Sequence, residues 1–326
     1  METLLAKYVG RLAPSPTGAL HLGNVRTFMV AWLRARSLSG RLVMRIEDLD
    51  HPRDKPGAAQ QAFEDLRWLG FDWDEEYTQS KRTAHYRAAL DELLSKGLAY
   101  PCTCSRADVE HAQGAPHAGE QLFYPGTCRG RYSSWAEAAA EISPRIPCWR
   151  FRVEVPSLVS FTDQFAGSYS QDVAQTLGDF PLARDENAAG YTLAVVVDDA
   201  EMGVTEVVRG DDLLPATPAH ILLQRALGLP TPAYCHLPLV IGPDGRRLAK
   251  RHGDTRISTF RTQGWTPERI IGYLAATCGW AEKQEEVSLS SLLPRFTLDS
   301  IPHSPTVFSG FSPYFIGENA CSTPQK

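Results

Sequence analysis

The chain has 326 residues, with 33 Lys and Arg against 38 Asp and Glu and a formal net charge of −5. This charge excludes a general nucleic-acid binder, so any RNA-binding surface must be local. Hydrophobic residues make up 43% of the chain, which supports a real core and excludes a disordered protein. The length allows two domains, or one domain with an insertion.

No apolar run approaches membrane-spanning length, and the first ten residues lack the apolar core of a signal peptide. The chain has seven cysteines, an odd number, and three of them lie close together in sequence. This usage favours a reducing compartment with metal-bound or free thiols over a disulfide framework. We therefore expect a cytoplasmic protein without a membrane span.

The first predicted elements are a strand, a tight turn and a helix. Tyr8 to Leu12 is typical of a short buried strand, and apolar residues recur at helical spacing between Val25 and Leu38. Two prolines and Gly18 make the connection a turn. Such a turn predicts an anion site, because free backbone N–H groups and the positive end of the helix dipole point the same way. His21 and Gly23 lie at this helix start.

The next elements predict a parallel α/β sheet. Arg41 to Ile46 is predicted to be a strand, and Gln60 to Leu69 an amphipathic helix that ends near Gly70. Arg82 to Lys96 is predicted to be a second helix with Gly97 after it. Two strands that are each followed by a helix favour a parallel sheet with helices packed on it.

A change in composition then marks a candidate metal site. Cys102 and Cys104 are close enough to bind one ion, and Cys128 can supply a third thiolate. Structural zinc takes four soft or borderline ligands in a tetrahedron. The residues alone leave the fourth ligand open, and the candidates within the loop are His111, His117 and Tyr124.

Four apolar stretches follow. Trp149 to Val155 and Leu158 to Phe165 alternate, which predicts strands of an inserted domain. Tyr191 to Val197 is nearly all apolar, as expected of a central parallel strand, and Val204 to Val208 predicts another.

Polar residues at the ends of the predicted strands indicate a binding crevice. Ligands of open α/β sheets bind at the carboxyl ends of the strands. Arg11, Glu47, Tyr191 and Arg209 are therefore expected to face one crevice.

The last third of the chain is locally basic. Residues 244–269 contain seven Arg or Lys and three Asp or Glu, a local net charge of +4. A turn at Gly242 to Gly245 precedes the run Arg246 to Gly253. Thr266 and Pro267 predict the first residues of a helix, and we expect helical structure to about Leu293. Residues 310–326 have no periodicity and are expected to form a loose tail.

Three of these stretches resemble the glutamyl group of the class I aminoacyl-tRNA synthetases. The run APSPTGALHLGN is similar to the His-x-Gly-His motif, with Asn24 at its fourth position. RLVMRIEDLDHPR resembles the second strand of the glutamyl nucleotide fold. RLAKRHG resembles the family's Lys-Met-Ser-Lys-Ser loop in its glutamyl form, with Arg247 and Ala249 as departures and Lys250 retained.

The resemblance implies a Rossmann-like parallel α/β fold with a zinc-containing insertion and a C-terminal helical region. Its four parts would be residues 1–98 and 183–255 (the two halves of the nucleotide-binding fold), 99–182 (the insertion) and 256–326 (a stem-contact-like region with the tail).

The family's chemistry is activation of glutamate by ATP with Mg²⁺, followed by transfer to an RNA hydroxyl. The resemblance assigns catalysis to His21 and Lys250, and ATP binding to His21, Gly23, Asn24 and Lys250. Arginine offers a planar fork for each carboxylate of glutamate, a carboxylate can pair with its ammonium, and hydroxyls can add hydrogen bonds. The residues expected to bind glutamate are Arg11, Leu12, Ala13, Pro14, Ser15, Glu47, Tyr191 and Arg209.

Three features favour the glutamyl-Q tRNA(Asp) synthetase family within this group. The spacing Cys-x-Cys … Tyr-x-x-x-Cys is similar to the zinc site of that family, which implies Cys102, Cys104, Tyr124 and Cys128 as ligands of one structural zinc ion. Val195 stands where many tRNA-charging enzymes have Asn. The stretch after Lys250 is shorter than a stem-contact domain plus an anticodon-binding domain of ordinary size.

That family implies esterification of glutamate onto queuosine in the anticodon of tRNA-Asp. We further expect a monomer that activates glutamate without tRNA, because all the predicted activation residues lie in this chain. One alternative is a minimal glutamyl-tRNA synthetase that charges a tRNA 3′ end. The others are a catalytically inactive RNA-binding paralogue and a small-molecule nucleotidyltransferase. The retained His21 and Lys250 disfavour the inactive paralogue, and the Lys250 loop with the cysteine insertion disfavours the nucleotidyltransferase.

Overall fold

The fold is taken from a computed structural model that describes residues 7–49, 54–113, 122–186, 188–248 and 254–310. The strands are β1 (Val9–Leu12), β2 (Arg41–Ile46), β3 (Glu75–Thr78), β4 (Ala99–Cys102), β5 (Cys148–Phe151), β6 (Leu158–Asp163), β7 (Gly167–Asp172), β8 (Pro181–Ala183), β9 (Glu206–Gly210), β10 (Ala233–Leu237), β11 (Val240–Ile241) and β12 (Thr306–Val307).

The α-helices are α1 (Leu22–Ser37), α2 (Ala58–Trp68), α3 (Thr83–Ser95), α4 (Arg106–Gln113), α5 (Trp135–Ile142), α6 (Val173–Thr176), α7 (Tyr191–Glu201), α8 (Thr217–Ala226), α9 (Ile257–Thr262) and α10 (Pro267–Ala276). Short 3-10 helices cover Gln79–Lys81, Asp211–Ala216 and Ser290–Arg295. In the part of the chain that the structure describes, no helix combines the length and apolar character that a membrane crossing requires.

Parallel strands carry the candidate site. β1, β2 and β3 form one parallel sheet in the order β1-β2-β3, and β9 pairs in parallel with β10. The two sheets meet edge to edge, because the backbone N–H of Thr205 donates to the carbonyl of Val9 over 2.9 Å. The predicted strand–turn–helix at the start of the chain and the predicted parallel α/β sheet are both confirmed.

The segment between the two halves of the parallel sheet forms antiparallel structure. β4, β5 and β8 make a three-stranded antiparallel sheet, and β6 and β7 form a hairpin. The hairpin packs against β10, and the backbone N–H of Gln164 donates to the carbonyl of Tyr234 over 2.8 Å. Residues of this segment therefore reach the second half of the parallel sheet.

Two predicted elements are wrong. The run from Tyr191, predicted to be a strand, is the helix α7, and every residue from Leu193 to Asp199 is buried. A helix that is covered on all sides needs apolar residues all round, and a short continuous apolar run does not distinguish it from a buried strand. The helix predicted to continue to Leu293 ends at Ala276, close to Gly279, whose φ of +77° is left-handed. Residues 311–326 of the predicted tail lie outside the part of the chain that the structure describes.

Candidate active site and metal centre

His21 is the N-cap of α1 and uses its own ring for this purpose. Its Nδ1 accepts hydrogen bonds from the backbone N–H groups of Gly23 (3.1 Å) and Asn24 (3.3 Å), and its own N–H donates to Asn24 Oδ1 over 3.1 Å. The N–H of Leu22 donates to the carbonyl of Thr255 over 3.1 Å. The first N–H groups of α1 are thus already satisfied, so the expectation of free backbone donors for a phosphate is wrong at this helix.

The imidazole of His21 is left with one hydrogen-bond donor. Because Nδ1 accepts two hydrogen bonds, the ring proton is on Nε2. Burial, aided by the positive charge of Arg247, lowers the pKa of His21 to about 4, so the ring is neutral at pH 7. A Cβ on Gly23 would lie 3.1 Å from two atoms of this ring, so a side chain at this position would require the ring to shift.

A cleft of about 810 Å³ opens beside His21. It is lined by the turn after β1, by the start of α2 and by residues on both sides of the 249–253 stretch, namely Leu248 and Asp254. Lys250 itself lies outside the described residues. Lys55 also lines the cleft. It was not predicted from the sequence, although it is a cation shortly after β2.

Six charged or hydroxyl-bearing residues meet at the carboxyl ends of the parallel strands. We call this group the charged crevice; it consists of Arg11, Arg45, Glu47, Tyr191, Asp199 and Arg209. β1, β2, α7 and β9 carry five of them, and Glu47 directly follows β2. The structure therefore brings together the four residues that the sequence predicted to face one crevice.

Arg11 is buried and only partly paired. Its Nη1 donates to the carbonyl of Val208 over 2.8 Å. Its Nε lies 3.8 Å from Asp199 Oδ1 and has no hydrogen-bond partner among the described residues, although the atom is buried. Burial lowers the pKa of Arg11, and Asp199 and Glu47 oppose this effect. A buried guanidinium N–H without an acceptor is costly, and an anionic ligand would supply the acceptor.

Arg45 forms ion pairs with both carboxylates of the crevice. It was not predicted from the sequence. Its side chain is fully buried, with Nη1 2.6 Å from Asp199 Oδ1 and Nη2 3.0 Å from Glu47 Oε1. Burial raises the pKa of Glu47, and Arg45 and Arg11 pull it back. An arginine that follows three apolar residues of its strand, two residues before a glutamate on the same face, was the available signal.

Arg209 is held on several sides. Its Nε donates to His236 Nε2 over 3.0 Å, and its Nη2 donates to Thr217 Oγ1 over 2.8 Å. Its Nη1 lies 3.4 Å from His220 Nδ1. Both histidines are buried, and burial lowers the pKa of each, so they are neutral at pH 7. Neither histidine was predicted from the sequence to belong to the site.

The remaining residues predicted to bind glutamate differ in their exposure. Tyr191 is the first residue of α7 and is 41% exposed, and Glu47, Arg209 and Arg11 lie near enough to influence the pKa of its hydroxyl. Ser15 is exposed, and the carbonyl of Pro14 accepts the N–H of Glu47 over 3.0 Å. Leu12 is fully buried in the main core, so its side chain is not available to a ligand and its predicted role would fall to the backbone. The neighbouring Ala13 is partly buried.

Three cysteines and one tyrosine converge in the antiparallel segment. We call this group the cysteine site; it consists of Cys102, Cys104, Tyr124 and Cys128. The three Sγ atoms lie within 4.8 Å of one another. The Tyr124 hydroxyl lies 3.2 Å from Cys102 Sγ and 3.7 Å from Cys104 Sγ. Three thiols and a phenol in this arrangement fit one tetrahedral zinc ion.

The surroundings favour Tyr124 over histidine as the fourth donor. His111 is exposed on α4, and within the described ranges the convergent group of candidate ligands contains no histidine. His117 lies outside those ranges. A Cβ on Gly178 would lie 2.0 Å from the carbonyl of Tyr124, so this glycine permits the close approach that places the tyrosine.

Two further side chains border the cysteine site. Arg150 Nε lies 3.2 Å from Cys102 Sγ, and its guanidinium lies 3.8 Å from the centre of the Tyr124 ring. Cys148 pairs with Cys102 across β4 and β5. These contacts supply hydrogen bonding and positive charge next to a group of candidate thiolates.

Comparison with known proteins identifies the family. Residues 7–309 match the model of the tRNA synthetases class I (E and Q), catalytic domain. A glutamyl-Q tRNA(Asp) synthetase from Symbiobacterium thermophilum is 48% identical, over 91% of this chain and 94% of that protein. One from Rhodopirellula baltica is 43% identical, over 94% of this chain and 98% of that protein.

The tRNA-charging relatives are longer. A glutamate–tRNA ligase from Aquifex aeolicus is 40% identical over 94% of this chain, which spans 65% of that protein. The crystal structure of a glutamate tRNA ligase from Elizabethkingia meningosepticum superposes with a TM-score of 0.78 at 29% identity, covering 93% of this chain and 67% of that one. This chain is therefore a ligase of the class I tRNA synthetase fold and belongs to the glutamyl-Q tRNA(Asp) synthetase family.

Proposed function

We propose that this enzyme uses ATP to activate L-glutamate without tRNA and then transfers the glutamyl group to queuosine in the anticodon of tRNA-Asp. The observation that carries the proposal is the charged crevice. Arg11, Arg209 and Glu47 are buried together at the carboxyl ends of the parallel strands, and the ion pair of Arg45 with Glu47 holds that carboxylate in place. Glutamate presents the complementary charges, with two carboxylates and one ammonium group.

Arg11 and Glu47 support this assignment most directly. The buried, unpartnered Nε of Arg11 suits a carboxylate of the substrate. Both hydrogen bonds from Arg45 go to Oε1 of Glu47, so Oε2 is the oxygen that would accept the substrate ammonium. Arg209 would bind the second carboxylate, and the hydroxyls of Tyr191 and Ser15 would add hydrogen bonds. Leu12, Ala13 and Pro14 would contribute through their backbone.

We assign ATP, with Mg²⁺ on its phosphates, to the cleft beside His21. The Nε2–H of His21 would donate to a phosphate oxygen, and Gly23 and Asn24 would keep this ring in place. Lys250 would contact the phosphates, and the residues that flank its segment line the same cleft. The α-carboxylate of glutamate attacks the α-phosphate of ATP and pyrophosphate leaves, so positioning and charge stabilisation supply the catalysis.

Lys250→Ala tests the ATP assignment. The variant loses one charge contact made to the transition state, so we expect glutamate-dependent exchange of pyrophosphate into ATP to fall by roughly 100-fold or more. Lys96→Ala is the matched control, because Lys96 lies on the surface and pairs with Glu92 one helical turn away. An unchanged rate in Lys250→Ala would remove that residue from the phosphate site.

We propose one structural zinc ion at the cysteine site, bound by Cys102, Cys104, Tyr124 and Cys128. The ion would order the segment between β4 and β5, because it would join Cys102 at the end of β4 to Tyr124 and Cys128 within that segment. When bound, it supplies a rigid cross-link and no chemistry in the crevice. Arg150 would offset the negative charge of the thiolates.

The proposed RNA acceptor is supported by family membership and by local charge. The relatives at 43–48% identity are named glutamyl-Q tRNA(Asp) synthetases. A single-stranded anticodon loop with a modified base can be read close to the reacting atom. The basic stretch is less positive than its net charge of +4 indicates, because Arg247 pairs over 2.9 Å with Asp212, which lies outside the stretch. RNA binding should be weak and sensitive to salt.

The acceptor is tested with labelled glutamate, ATP and tRNA-Asp that carries or lacks queuosine. We expect label only on the queuosine-containing RNA, and ribonuclease digestion should release it with the anticodon-loop fragment. A tRNA-Asp from which the 3′-terminal adenosine has been removed is the matched control and should accept glutamate equally well. Label on the terminal adenosine of tRNA-Glu would instead show a minimal charging synthetase.

A further inference from the structure

A buried aspartate of the antiparallel segment reaches the second half of the parallel sheet. Asp163 ends β6, and its side chain has no exposed surface. Its Oδ2 lies 2.6 Å from His236 Nδ1. Its Oδ1 accepts backbone N–H groups from Phe165 (3.0 Å), Ala166 (2.8 Å) and His236 (3.0 Å). Both carboxylate oxygens are therefore used, and each has a fixed role.

These contacts determine which nitrogen of His236 carries the proton. Oδ2 is an acceptor, so Nδ1 of His236 is protonated and donates to it. Nε2 is then without a proton and accepts the Nε–H of Arg209 over 3.0 Å. Burial alone would raise the pKa of Asp163, but the hydrogen bonds from His236 and the backbone outweigh it and lower that pKa. Asp163 is therefore ionised at pH 7.

We propose that Asp163 and His236 are positioning residues for the amino-acid site. Asp163 fixes the tautomer of His236, and His236 in turn fixes the guanidinium plane of Arg209 towards the charged crevice. The inference rests on the proposed function, in which Arg209 binds a carboxylate of glutamate. It adds a role in amino-acid binding for residues 99–182, which were predicted only as a zinc-containing insertion.

Asp163→Asn reverses this chain of hydrogen bonds with almost no change in shape. The three backbone N–H groups hold the amide oxygen at the Oδ1 position, so the NH₂ group takes the Oδ2 position and donates to His236 Nδ1. The imidazole proton must then move to Nε2, where it faces the Nε–H of Arg209 as well as the hydroxyl of Thr217, 3.1 Å away. Arg209 loses an acceptor and meets a donor, as when the aspartate behind a catalytic histidine is changed to asparagine.

The experiment measures pyrophosphate exchange as a function of glutamate and of ATP. For Asp163→Asn we expect KM for glutamate to rise roughly 10- to 100-fold, as for loss of a well-placed charged hydrogen bond. KM for ATP should stay within about twofold, because the ATP cleft does not include Arg209. The ¹⁵N chemical shifts of His236 should show the proton on Nδ1 in the wild type and on Nε2 in the variant.

A second pair of variants keeps the inference testable if Asp163→Asn does not fold. His236→Gln keeps an oxygen that can accept from Arg209 Nε, whereas His236→Leu does not. Both variants lose the imidazole contact with Asp163 Oδ2 and keep the backbone hydrogen bond to Oδ1. We expect the glutamine variant to recover most of the glutamate affinity that the leucine variant loses. Equal KM values for glutamate in His236→Gln and His236→Leu would overturn the inference.

The outcomes separate this inference from the proposed function. An active wild type whose KM for glutamate is unchanged by Asp163→Asn, with the tautomer reversed, overturns the positioning role alone. A rise of both KM for glutamate and KM for ATP in Asp163→Asn, with a matching fall in the free energy of unfolding, would show a merely structural role. That result would also overturn the positioning role. A folded wild type without any glutamate-dependent exchange overturns both proposals.

Discussion

The charged crevice and the cysteine site are built in opposite ways. The crevice takes its side chains from four distant elements, β1, β2, α7 and β9, and ion pairs join Arg45 to Glu47 and to Asp199. The cysteine site comes from one stretch, Cys102 to Cys128, with only a small hydrophobic cluster around it. Its sulfur atoms face one another at distances such as the 3.6 Å between Cys104 and Cys128.

The difference shows where each site obtains its order. Packing of the main cores positions the crevice, so it should exist before glutamate, metal or RNA binds. The cysteine site has few apolar contacts to hold its loop, so a bound ion should contribute most of its stability. Changes in one region should therefore have little effect on the other, and each prediction below tests that separation.

The largest effect is expected from Arg11→Lys. The lysine keeps the charge but loses the planar fork, so it cannot replace the hydrogen bonds of Nη1 and Nε together. We expect kcat/KM for glutamate in pyrophosphate exchange to fall by roughly 100- to 1,000-fold. Arg67→Lys is the matched control, because 60% of the Arg67 side chain is exposed and its ion pair lies on the surface. A loss of less than about tenfold in Arg11→Lys would show that the fork is not used.

Selection against glutamine should be the next largest effect. Glutamine presents one carboxylate, so one of the two arginines would face a neutral amide and lose a charge-assisted hydrogen bond. Such a bond contributes roughly 1.5–3 kcal/mol, which corresponds to about 10- to 150-fold in kcat/KM. Aspartate should also be a poor substrate, because it is too short to span both arginines. Comparable exchange rates with glutamine and glutamate would show that Arg11 or Arg209 is misassigned.

A smaller effect is predicted for the pH dependence of stability at His21. The pKa of His21 in the folded protein is about 4, below the ordinary 6.5, so the unfolded chain binds more protons between these values. The contribution of neutral His21 to the free energy of unfolding is complete above pH 6.5 and is lost as the pH falls from 6.5 towards 4. Asn is also a good N-cap, so His21→Asn serves as the reference.

Between pH 7 and pH 5, we expect the wild type to lose roughly 1–2 kcal/mol more unfolding free energy than His21→Asn. Urea titrations of both proteins at the two pH values measure this difference, and the other histidines cancel in it. Equal pH dependence of the two proteins would mean that His21 is not a neutral cap.

The smallest effect on activation is expected from Cys104→Ser. The variant should lose its zinc, measured by metal analysis, because one of three thiolates is missing. Pyrophosphate exchange with glutamate should nevertheless stay within about threefold of the wild type, because the ion pairs of the crevice do not include the cysteine site. Full zinc content would exclude Cys104 as a ligand, and a large loss of exchange would contradict the separation of the two regions.

Local patterns predicted the first half of the fold well. The strand, turn and helix around His21 are confirmed, because proline, glycine and helical spacing act over a few residues. The wrong prediction at α7 has a physical reason: a fully buried helix and a central strand need the same apolar run. The motifs also located Arg11, Glu47, Tyr191 and Arg209 in one crevice.

The partners of those residues could not be found from the sequence. Asp163 and His236 are 73 positions apart and meet only because the β6–β7 hairpin packs on β10. The use of the α1 N–H groups by His21 was also missed, because a capping histidine and a phosphate-binding histidine have the same sequence pattern. Long-range packing decided the first feature, whereas the second is a contact within three residues of the chain.

The most direct test of the account is pyrophosphate exchange into ATP by the wild-type protein with glutamate and without any RNA. Because the charged crevice is formed by the fold, we predict exchange that saturates with glutamate and does not increase when tRNA is added. Exchange that absolutely required tRNA would contradict a crevice that is complete before RNA binds, and would favour a synthetase that charges a tRNA 3′ end.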